Sequence, residues 1–161
     1  MTPAHAERET PLAALVEQRK LWRTQGRSLV MTNGCFDLLH PGHLALLEAA
    51  RRQGDLLVVA LNSDASVRRL KGEGRPVVPQ QERASVLLAL EAVDAVVLYE
   101  EDTPIEVVRA LRPDVLVKGA DWAQDRIVGR PEVEADGGRV LRVALLEGRS
   151  TSAILERIRG S

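Results

Sequence analysis

Short aliphatic runs alternate with helical patterns along most of the chain, and this alternation restricts the possible folds more than any other feature. The runs are largely aliphatic instead of alternating with polar residues, as expected for parallel strands that helices cover on both faces. They span residues 28–32, 55–61, 95–98, 115–117 and 139–145. The sequence therefore predicts an α/β, doubly wound fold with about five parallel strands and helices on both faces.

The segments between and around these strands carry apolar residues at helical spacing. The first predicted helix has Thr10 as its N-cap and Pro11 at its first position, and it ends at Gly26. The other predicted helices span residues 41–53, 64–70, 80–92, 105–111 and 150–159, whereas the polar stretch 122–138 has no predicted element. We expect residues 1–9 to form a flexible tail and residues 10–161 to form one domain that includes the N-terminal helix.

The charge balance argues against a broad anion-binding surface. The chain has 22 Lys and Arg residues against 23 Asp and Glu residues, whereas binding to nucleic acid or to an anionic membrane depends on surplus basic charge. The longest apolar runs, such as residues 56–61, are far shorter than the roughly 20 residues of a membrane-spanning helix. We therefore expect a cytoplasmic protein with neither nucleic acid nor membrane as a partner, in which a local group of residues holds any bound anion.

The loop after the first predicted strand combines several residues suited to binding a phosphate. Pro41 fits the first position of a helix, which makes His40 the N-cap and His43 the third residue of the same turn. Free backbone N–H groups and the helix dipole make such a terminus a site for anions, and Gly42 has no Cβ to keep a phosphate away. The His-x-Gly-His string therefore predicts a phosphate site with two imidazole N–H donors.

Other interpretations of these histidines are less well supported. A histidine next to proline at the start of a helix is often only a cap. A zinc site would need further ligands, and the third histidine, His5, lies in the predicted tail. The chain contains neither a GxxxxGK[ST] nor a GxGxxG string, so the two common phosphate-binding loops are absent from its sequence.

Two further groups of residues are candidates for contact with phosphate. Lys71 lies in a turn next to Gly72, where it is either part of a solvated basic loop or able to close over a polyphosphate. Arg83 occupies the first turn of a predicted helix, where a cation is unfavourable unless an anion lies nearby. At the last helix, Ser150 is a plausible N-cap, but three consecutive hydroxyl residues, 150–152, exceed what capping requires.

These motifs carry a resemblance to known families. The segment from Asn33 to His43 resembles the signature of the nucleotidyltransferase superfamily that includes the cytidylyltransferases and shares its HxGH element with class I aminoacyl-tRNA synthetases. Over residues 11–159 the chain also resembles the D-glycero-β-D-manno-heptose 1-phosphate adenylyltransferase family, because many separated segments match in the same order. The matching segments are 62–64, 69–72, 74–77, 81–83, 91–94, 100–104, 113–119 and 148–152.

The resemblance implies a Rossmann-like nucleotidyltransferase fold and a specific reaction. It implies transfer of AMP from ATP to a sugar 1-phosphate, D-glycero-β-D-manno-heptose 1-phosphate, which yields ADP-heptose for lipopolysaccharide and releases pyrophosphate. Mg²⁺ would act mainly through the nucleotide phosphates, and no residue is assigned as its ligand. The resemblance also implies a homo-oligomer, and because no kinase domain fits in 161 residues, we expect a separate sugar kinase to supply the substrate.

The resemblance also implies roles for individual residues. His40 and His43 would donate to the α-phosphoryl oxygens, and Lys71 would act with them in catalysis. The residues expected to bind nucleotide or phosphate are Asn33, Gly34, Cys35, Phe36, Gly42, Lys118, Gly119, Ser150, Thr151 and Ser152. Asp37, Asp64 and Arg83 are candidates for contact with the substrate, and either aspartate could instead be a turn residue.

Three points stay open at this stage. Many superfamily members have Ile where this chain has Arg149, so the role of Arg149 is undetermined, and Trp122 either covers a nucleotide ring or anchors its loop. The same chemistry would serve a CTP-dependent cytidylyltransferase acting on glycerol 3-phosphate or a similar phosphate ester. An alternative of another class is a noncatalytic nucleotide-binding regulatory module.

Overall fold

The computed structural model describes residues 9–160. The predicted tail, with His5, lies outside the described residues except for Glu9, and the extent of the domain stays a prediction. Five parallel strands form one sheet in the order β3-β2-β1-β4-β5. Their bounds are β1 Leu29–Gly34, β2 Leu56–Asn62, β3 Ala95–Tyr99, β4 Val115–Gly119 and β5 Arg139–Val143. The predicted doubly wound sheet is confirmed.

Helices connect the strands. Their bounds are α1 Leu12–Thr24, α2 Pro41–Arg51, α3 Asp64–Lys71, α4 Gln80–Leu88, α5 Ile105–Leu111, α6 Arg130–Ala135 and α7 Thr151–Arg159. Neither α6 nor the 3₁₀ turn Gln124–Arg126 before it was predicted from the sequence. Val133 is the one residue of α6 that is buried, so the segment has little apolar periodicity to indicate a helix. No helix in this part of the chain is both long and apolar enough to cross a bilayer.

The start of α1 differs from the prediction. Pro11 has extended backbone angles and occupies the N-cap position, where no side chain caps the helix. Thr10 lies before it and donates its backbone N–H to the carbonyl oxygen of Val96 in β3 at 3.0 Å. Because this bond requires an extended chain, the helix begins later than the Thr10-Pro11 pattern predicts.

The core consists of two aliphatic layers, one on each face of the sheet. Leu15 of α1, Met31 of β1 and Leu111 of α5 belong to one layer, whereas Leu47 of α2 and Leu87 of α4 belong to the other. All five side chains are fully buried, and burial of each contributes about 1.5–3 kcal/mol. The predicted covering of both faces by helices is confirmed.

The strand order determines where a ligand can bind. β1 pairs with β2 on one side and with β4 on the other, so the chain connections diverge at the carboxyl ends of β1 and β4. In doubly wound folds the ligand crevice lies at this switch point. Both strands are longer than predicted, since Asn33 and Gly34 end β1 and Lys118 and Gly119 end β4. Four predicted binding residues therefore lie at the rim of the sheet.

Candidate active site

The two histidines at the start of α2 form a reciprocal cap. His40 is the N-cap, and its Nδ1 accepts a hydrogen bond from the backbone N–H of Gly42 at 3.1 Å. His43 Nδ1 accepts from the backbone N–H of His40 at 3.3 Å. A neutral imidazole that accepts at one nitrogen carries its hydrogen on the other, so we infer that both rings present Nε2–H. The rings lie close together, with centroids 3.9 Å apart.

Both histidines are neutral near pH 7. Burial, with a smaller contribution from His40, lowers the pKa of His43 to about 4. Burial also lowers the pKa of His40, and the positive charge of Arg149 acts in the same direction. The predicted pair of N–H donors therefore has the right protonation state to donate to an oxygen without carrying a full charge.

Gly42 is required by the cap itself. A Cβ at this position would lie 2.8 Å from Cε1 and 2.9 Å from Nδ1 of His40, which is closer than real contacts allow. The same Cβ would be 3.5 Å from Cβ of Arg149. The residue whose role the sequence left undetermined thus lies next to the HxGH turn, and its charge reaches His40.

The amino end of α7 meets the same loop. Ser150 caps α7, since its side chain accepts from the backbone N–H of Ala153 at 3.0 Å, as predicted. Thr151 Oγ1 donates to the carbonyl oxygen of Asp37 at 2.8 Å, so this hydroxyl joins two segments of the protein. The hydrogen bond brings the helix N-termini of α2 and α7 to one loop. At α2, Pro41 has no N–H and the N–H groups of Gly42 and His43 bond to His40, so the imidazoles are its donors to an anion. The first turn of α7 offers backbone N–H groups suited to an anion.

Asp37, which the sequence predicts to contact substrate, has partners within the protein for both carboxylate oxygens. Its side chain is 1% exposed and accepts from Arg75 Nε at 2.8 Å, from Val77 N at 2.8 Å and from Val78 N at 3.0 Å. Burial alone would raise the pKa of Asp37, but these donors outweigh it and lower the pKa. Both carboxylate oxygens therefore bond to the segment that follows the Lys71 turn.

Asp64 and Arg83, the other two predicted substrate contacts, form an internal pair. Arg83 Nη2 contacts Asp64 Oδ1 at 2.8 Å, and the Arg83 side chain is 1% exposed. The guanidinium also donates to carbonyl oxygens of Cys35 at 2.5 Å, of Asn62 at 2.9 Å and of Val78 at 2.9 Å. The first turn of α4 faces the carboxyl ends of β1 and β2. The Arg83 guanidinium therefore lies next to carbonyl oxygens of these segments and to Asp64. The sequence had suggested a bound anion at this position.

Lys71 is the last residue of α3 and is exposed. Gly72 follows it with φ of +92°, a conformation that glycine adopts without strain. Burial raises the pKa of the Cys35 thiol, whereas the charges of Lys71, Arg83 and Arg75 oppose that shift. Lys71 is thus close enough to the loop after β1 for its charge to act on Cys35.

Lys118 projects from the end of β4 into a confined position. Its Nζ donates to the carbonyl oxygen of Asn33 at 3.1 Å and lies 5.0 Å from the ring centroid of Trp122. Burial lowers the pKa of Lys118 to about 8, Lys71 adds to this effect, and Asp121 opposes it. Because Trp122 is 46% exposed, it covers the lysine while leaving part of its own surface open at the rim.

Gly119 lies next to Lys118 in a crowded part of the rim. A Cβ there would approach Asp121 Oδ1 to 2.7 Å and Leu145 Cδ2 to 2.8 Å. Gly34, at the end of β1, has Phe36 at 3.1 Å from the corresponding position. A larger residue would therefore displace side chains of the protein itself, those of Asp121 and Leu145 at Gly119 and that of Phe36 at Gly34.

The sequence did not single out Tyr99, although it contributes to the same region. Its hydroxyl donates to Asn62 Oδ1 at 2.8 Å and accepts from Asn33 Nδ2 at 3.4 Å. Burial raises the pKa of Tyr99 to about 12, so the hydroxyl keeps its proton. The signal available in the sequence was a tyrosine at the end of an otherwise aliphatic strand, because a buried phenol requires a polar partner.

A dedicated metal site is not visible among residues 9–160, where no group of three or more His, Cys, Asp and Glu side chains is suitably placed. The two aspartates at the strand ends are paired with arginines, Asp37 with Arg75 and Asp64 with Arg83. A divalent cation that arrives on nucleotide phosphates would require no such protein cluster.

Curated relatives resemble almost the whole chain. The bifunctional protein HldE of Methylobacillus flagellatus is 52% identical over 155 residues, which are 96% of this chain and 32% of that protein. The bifunctional protein HldE of Syntrophotalea carbinolica is 57% identical over 136 residues, 84% of this chain and 28% of that protein. The chain thus spans about a third of the length of these relatives.

Solved structures and a family model agree with this similarity. The lipopolysaccharide core biosynthesis protein of Thermoplasma volcanium is 29% identical with a TM-score of 0.62, covering 77% of this chain and all of that one. A pantoate-beta-alanine ligase of Francisella tularensis, 14% identical with a TM-score of 0.61 over 88% of this chain and 67% of its own, shares the fold. The cytidylyltransferase-like family model matches residues 31–154. The chain therefore belongs to the cytidylyltransferase-like family and is a nucleotidyltransferase.

Proposed function

We propose that the protein transfers AMP from ATP to D-glycero-β-D-manno-heptose 1-phosphate and releases ADP-heptose and pyrophosphate. The observation that carries this proposal is the meeting of two helix N-termini at one loop, with two neutral histidines on one of them. Supporting it are the relatives named bifunctional protein HldE, at 52% and 57% identity, and the lipopolysaccharide core biosynthesis protein of similar fold. Adenine and heptose come from the family resemblance.

The reaction requires positioning more than covalent chemistry. An oxygen of the sugar 1-phosphate attacks the α-phosphorus of ATP, a new P–O bond forms in line with the breaking one, and pyrophosphate leaves. No side chain has to act as the nucleophile, because the attacking phosphate is already ionised. The Nε2–H groups of His40 and His43 donate to the α-phosphoryl oxygens, where negative charge grows in the transition state.

The leaving pyrophosphate is neutralised by the other elements of the site. The N-terminus of α7, with Ser150, Thr151 and Ser152, receives the β- and γ-phosphates through backbone N–H groups. Arg149 lies beside His40, which suits a contact with the same phosphates, and Lys71 adds a charge on a glycine-flanked turn. Mg²⁺ bound to the nucleotide phosphates would supply further charge neutralisation.

The nucleoside occupies the rim between β1 and β4. In this role Asn33, Gly34 and Cys35 form one wall, and Lys118 and Gly119 form the other. Phe36 is buried in the core, so only its backbone would take part. Trp122, exposed at the rim and in contact with Lys118, is the aromatic surface available to a ring. This assignment follows the general position of ligands at the switch point of a doubly wound sheet.

Pyrophosphate release from a panel of substrates tests the proposal. The expected result is release with ATP and heptose 1-phosphate. Release with CTP and glycerol 3-phosphate, but not with ATP, would instead support the cytidylyltransferase alternative. Binding of nucleotide without release from any pair would support a noncatalytic regulatory module.

His43→Ala tests the role of the histidines. Loss of one donor to the developing charge is expected to reduce kcat by about 10² to 10³. Circular dichroism and the thermal midpoint establish that the variant is folded. A folded His43→Ala protein with a near-normal turnover number would refute the proposed role of this residue.

The cellular context of the reaction belongs to the same proposal. A sugar kinase supplies the 1-phosphate, the enzyme works in the cytoplasm, and it assembles into a homo-oligomer. The relatives that this chain matches carry the name bifunctional and are about three times its length. The kinase, the location and the oligomer stay predictions. Activity assays with a purified kinase test the first, and size measurements in solution test the last.

A further inference from the structure

Asp37 connects three segments that the proposed mechanism uses. Its carboxylate accepts hydrogen bonds from Arg75, Val77 and Val78 at 2.8 to 3.0 Å. Its carbonyl oxygen accepts from Thr151 Oγ1 at 2.8 Å. Its own place in the chain is the loop between β1 and the HxGH turn. One residue thus joins the histidine loop, the segment that follows Lys71 and the N-terminus of α7.

The backbone around Asp37 is held in an unfavourable conformation. Phe36 and Leu38, on either side of it, have φ of +46° and +52°, in the left-handed region that residues with a Cβ rarely adopt. Such conformations persist where surrounding contacts hold them and are frequent at functional sites. Here the contacts that can hold the loop include the four hydrogen bonds of Asp37.

The bonds of Asp37 also restrict Lys71. Four residue steps separate Lys71 from Arg75, and an extended chain covers at most about 3.3 to 3.6 Å per residue, so Lys71 stays within roughly 14 Å of Arg75. The intervening Gly72 and Gly74 have φ of +92° and +82°, and a Cβ at either position would touch nothing within 4 Å. Gly72 N–H bonds to the carbonyl oxygen of Arg68 in α3 at 2.9 Å, so α3 holds the turn at one end and the bonds of Asp37 hold it at the other.

We propose that Asp37 is a positioning residue that holds Lys71 and the N-terminus of α7 in register with the HxGH turn. The inference rests on the proposed function, since it gives Lys71 a role at the leaving pyrophosphate. It replaces the expected contact of Asp37 with sugar or hydrated metal, because both carboxylate oxygens bond to the protein. An aspartate is required because three donors converge on it, and a carboxylate is acceptor-only.

A double-mutant cycle between Asp37→Asn and Lys71→Ala separates positioning from direct contact. The asparagine keeps the size of the side chain but turns an NH₂ group toward one of the donors. We expect Asp37→Asn to lower kcat/KM for ATP by about ten- to a hundredfold, the order expected from a displacement of about 1 Å. In the Lys71→Ala background the same substitution should cost less than about threefold, because its effect passes through Lys71.

Asp102→Asn is the matched control. Asp102 pairs with Arg69 of α3 at 2.9 Å, and both side chains are at least half exposed. This substitution removes a carboxylate contact near the same helix without touching the segment 75–78. We expect wild-type kinetics, and an equal loss in Asp102→Asn would show that any weakening near α3 mimics the Asp37 effect.

Hydrogen exchange tests the anchoring without relying on catalysis. The N–H groups of Val77 and Val78 bond to Asp37, so peptides covering residues 72–79 should exchange at least about tenfold faster in Asp37→Asn, and those covering β2 should not. If Asp37→Asn does not fold, Arg75→Gln, which removes one donor to Asp37, replaces it in the double-mutant cycle and in the hydrogen-exchange experiment. We expect kcat/KM to fall and exchange over residues 72–79 to become faster, as for Asp37→Asn.

The results that overturn the inference are distinct from those that overturn the proposed function. Unchanged exchange over residues 72–79 refutes the anchoring, whether or not the protein is an adenylyltransferase. An equal kinetic loss in both backgrounds refutes positioning through Lys71, and a raised Mg²⁺ requirement would then identify Asp37 as a contact to the metal-nucleotide complex. A wild-type protein that releases no pyrophosphate, yet shows faster exchange in Asp37→Asn, refutes the function and leaves the anchoring in place.

Discussion

Gly42→Ala should separate the stability of the protein from its activity. The added methyl group would lie 2.8 Å from Cε1 of His40 and 2.9 Å from Nδ1, so the imidazole has to turn away. Turning the ring breaks the hydrogen bond between Gly42 N–H and His40 Nδ1, which is 3.1 Å long. His40 then loses the contact that fixes its tautomer and direction, and its Nε2–H no longer points at a defined place.

The two effects on stability nearly cancel. Alanine in place of glycine within a helix contributes about 1 kcal/mol to stability, and loss of an N-cap hydrogen bond costs about 0.5–2 kcal/mol. The thermal midpoint should therefore change by only a few degrees. Activity should fall far more, since misplacing one donor to the developing charge costs on the order of 10² to 10³ in kcat, or about 2.7–4 kcal/mol.

Steady-state pyrophosphate release and thermal unfolding of the same preparation measure the two quantities. Gly160→Ala is the control, because Gly160 follows α7 with φ of −83°, a conformation open to alanine, and is exposed. A Gly42→Ala protein with kcat within about threefold of wild type would refute the claim that His40 must be held by this cap. A large fall in the midpoint would show that the ring cannot turn away without disrupting α2.

Two further predictions concern pH. Burial lowers the pKa of His43 to about 4, against about 6.5 in an unfolded chain. The unfolded state therefore takes up a proton at a higher pH than the folded state, and His43 should make the free energy of unfolding decrease as the pH falls from 6.5 to 4. Urea unfolding at several pH values should show that this free energy falls less steeply with pH in His43→Gln than in wild type. An equal dependence on pH in the two proteins would contradict this. Burial lowers the pKa of Lys118 to about 8, so loss of its charge should raise KM for ATP between pH 7 and 9; a similar rise in Lys118→Met would rule out this lysine as its cause.

The local features of the chain were predictable because neighbouring residues determine them. Pro41 at the first position of α2 fixes His40 as its N-cap, and Ser150 caps α7 by the same rule. The strands followed from continuous aliphatic runs, which helices on both faces explain. The strand order places the loops after β1 and β4 at the switch point, where ligands bind in doubly wound folds.

The partners of the charged residues were not predictable from local sequence. Arg83 looked exposed to an anion because its helix dipole disfavours a cation, yet carbonyl oxygens of Cys35 and Asn62, far away in the chain, accept its hydrogen bonds. Asp37 likewise meets Val77 and Val78 across some 40 residues. A strand-end position predicts that a side chain lies near the crevice, but the loops that fold over it decide whether it faces inward or outward.

The near-neutral charge of the chain acquires a mechanistic meaning at this site. In the proposed reaction the donors to the α-phosphoryl oxygens are two uncharged imidazoles. Arg149 lies beside them and would meet the leaving phosphates, and Lys71 ends α3. Fixed cations at the centre would bind the triphosphate of ATP strongly before any bond changes, and uniform binding does not raise kcat. Neutral donors interact weakly with the ground state and more strongly as charge grows on the α-phosphoryl oxygens. In the proposed reaction, the lowering of the histidine pKa values by burial would therefore help the site to favour the transition state over the bound substrate.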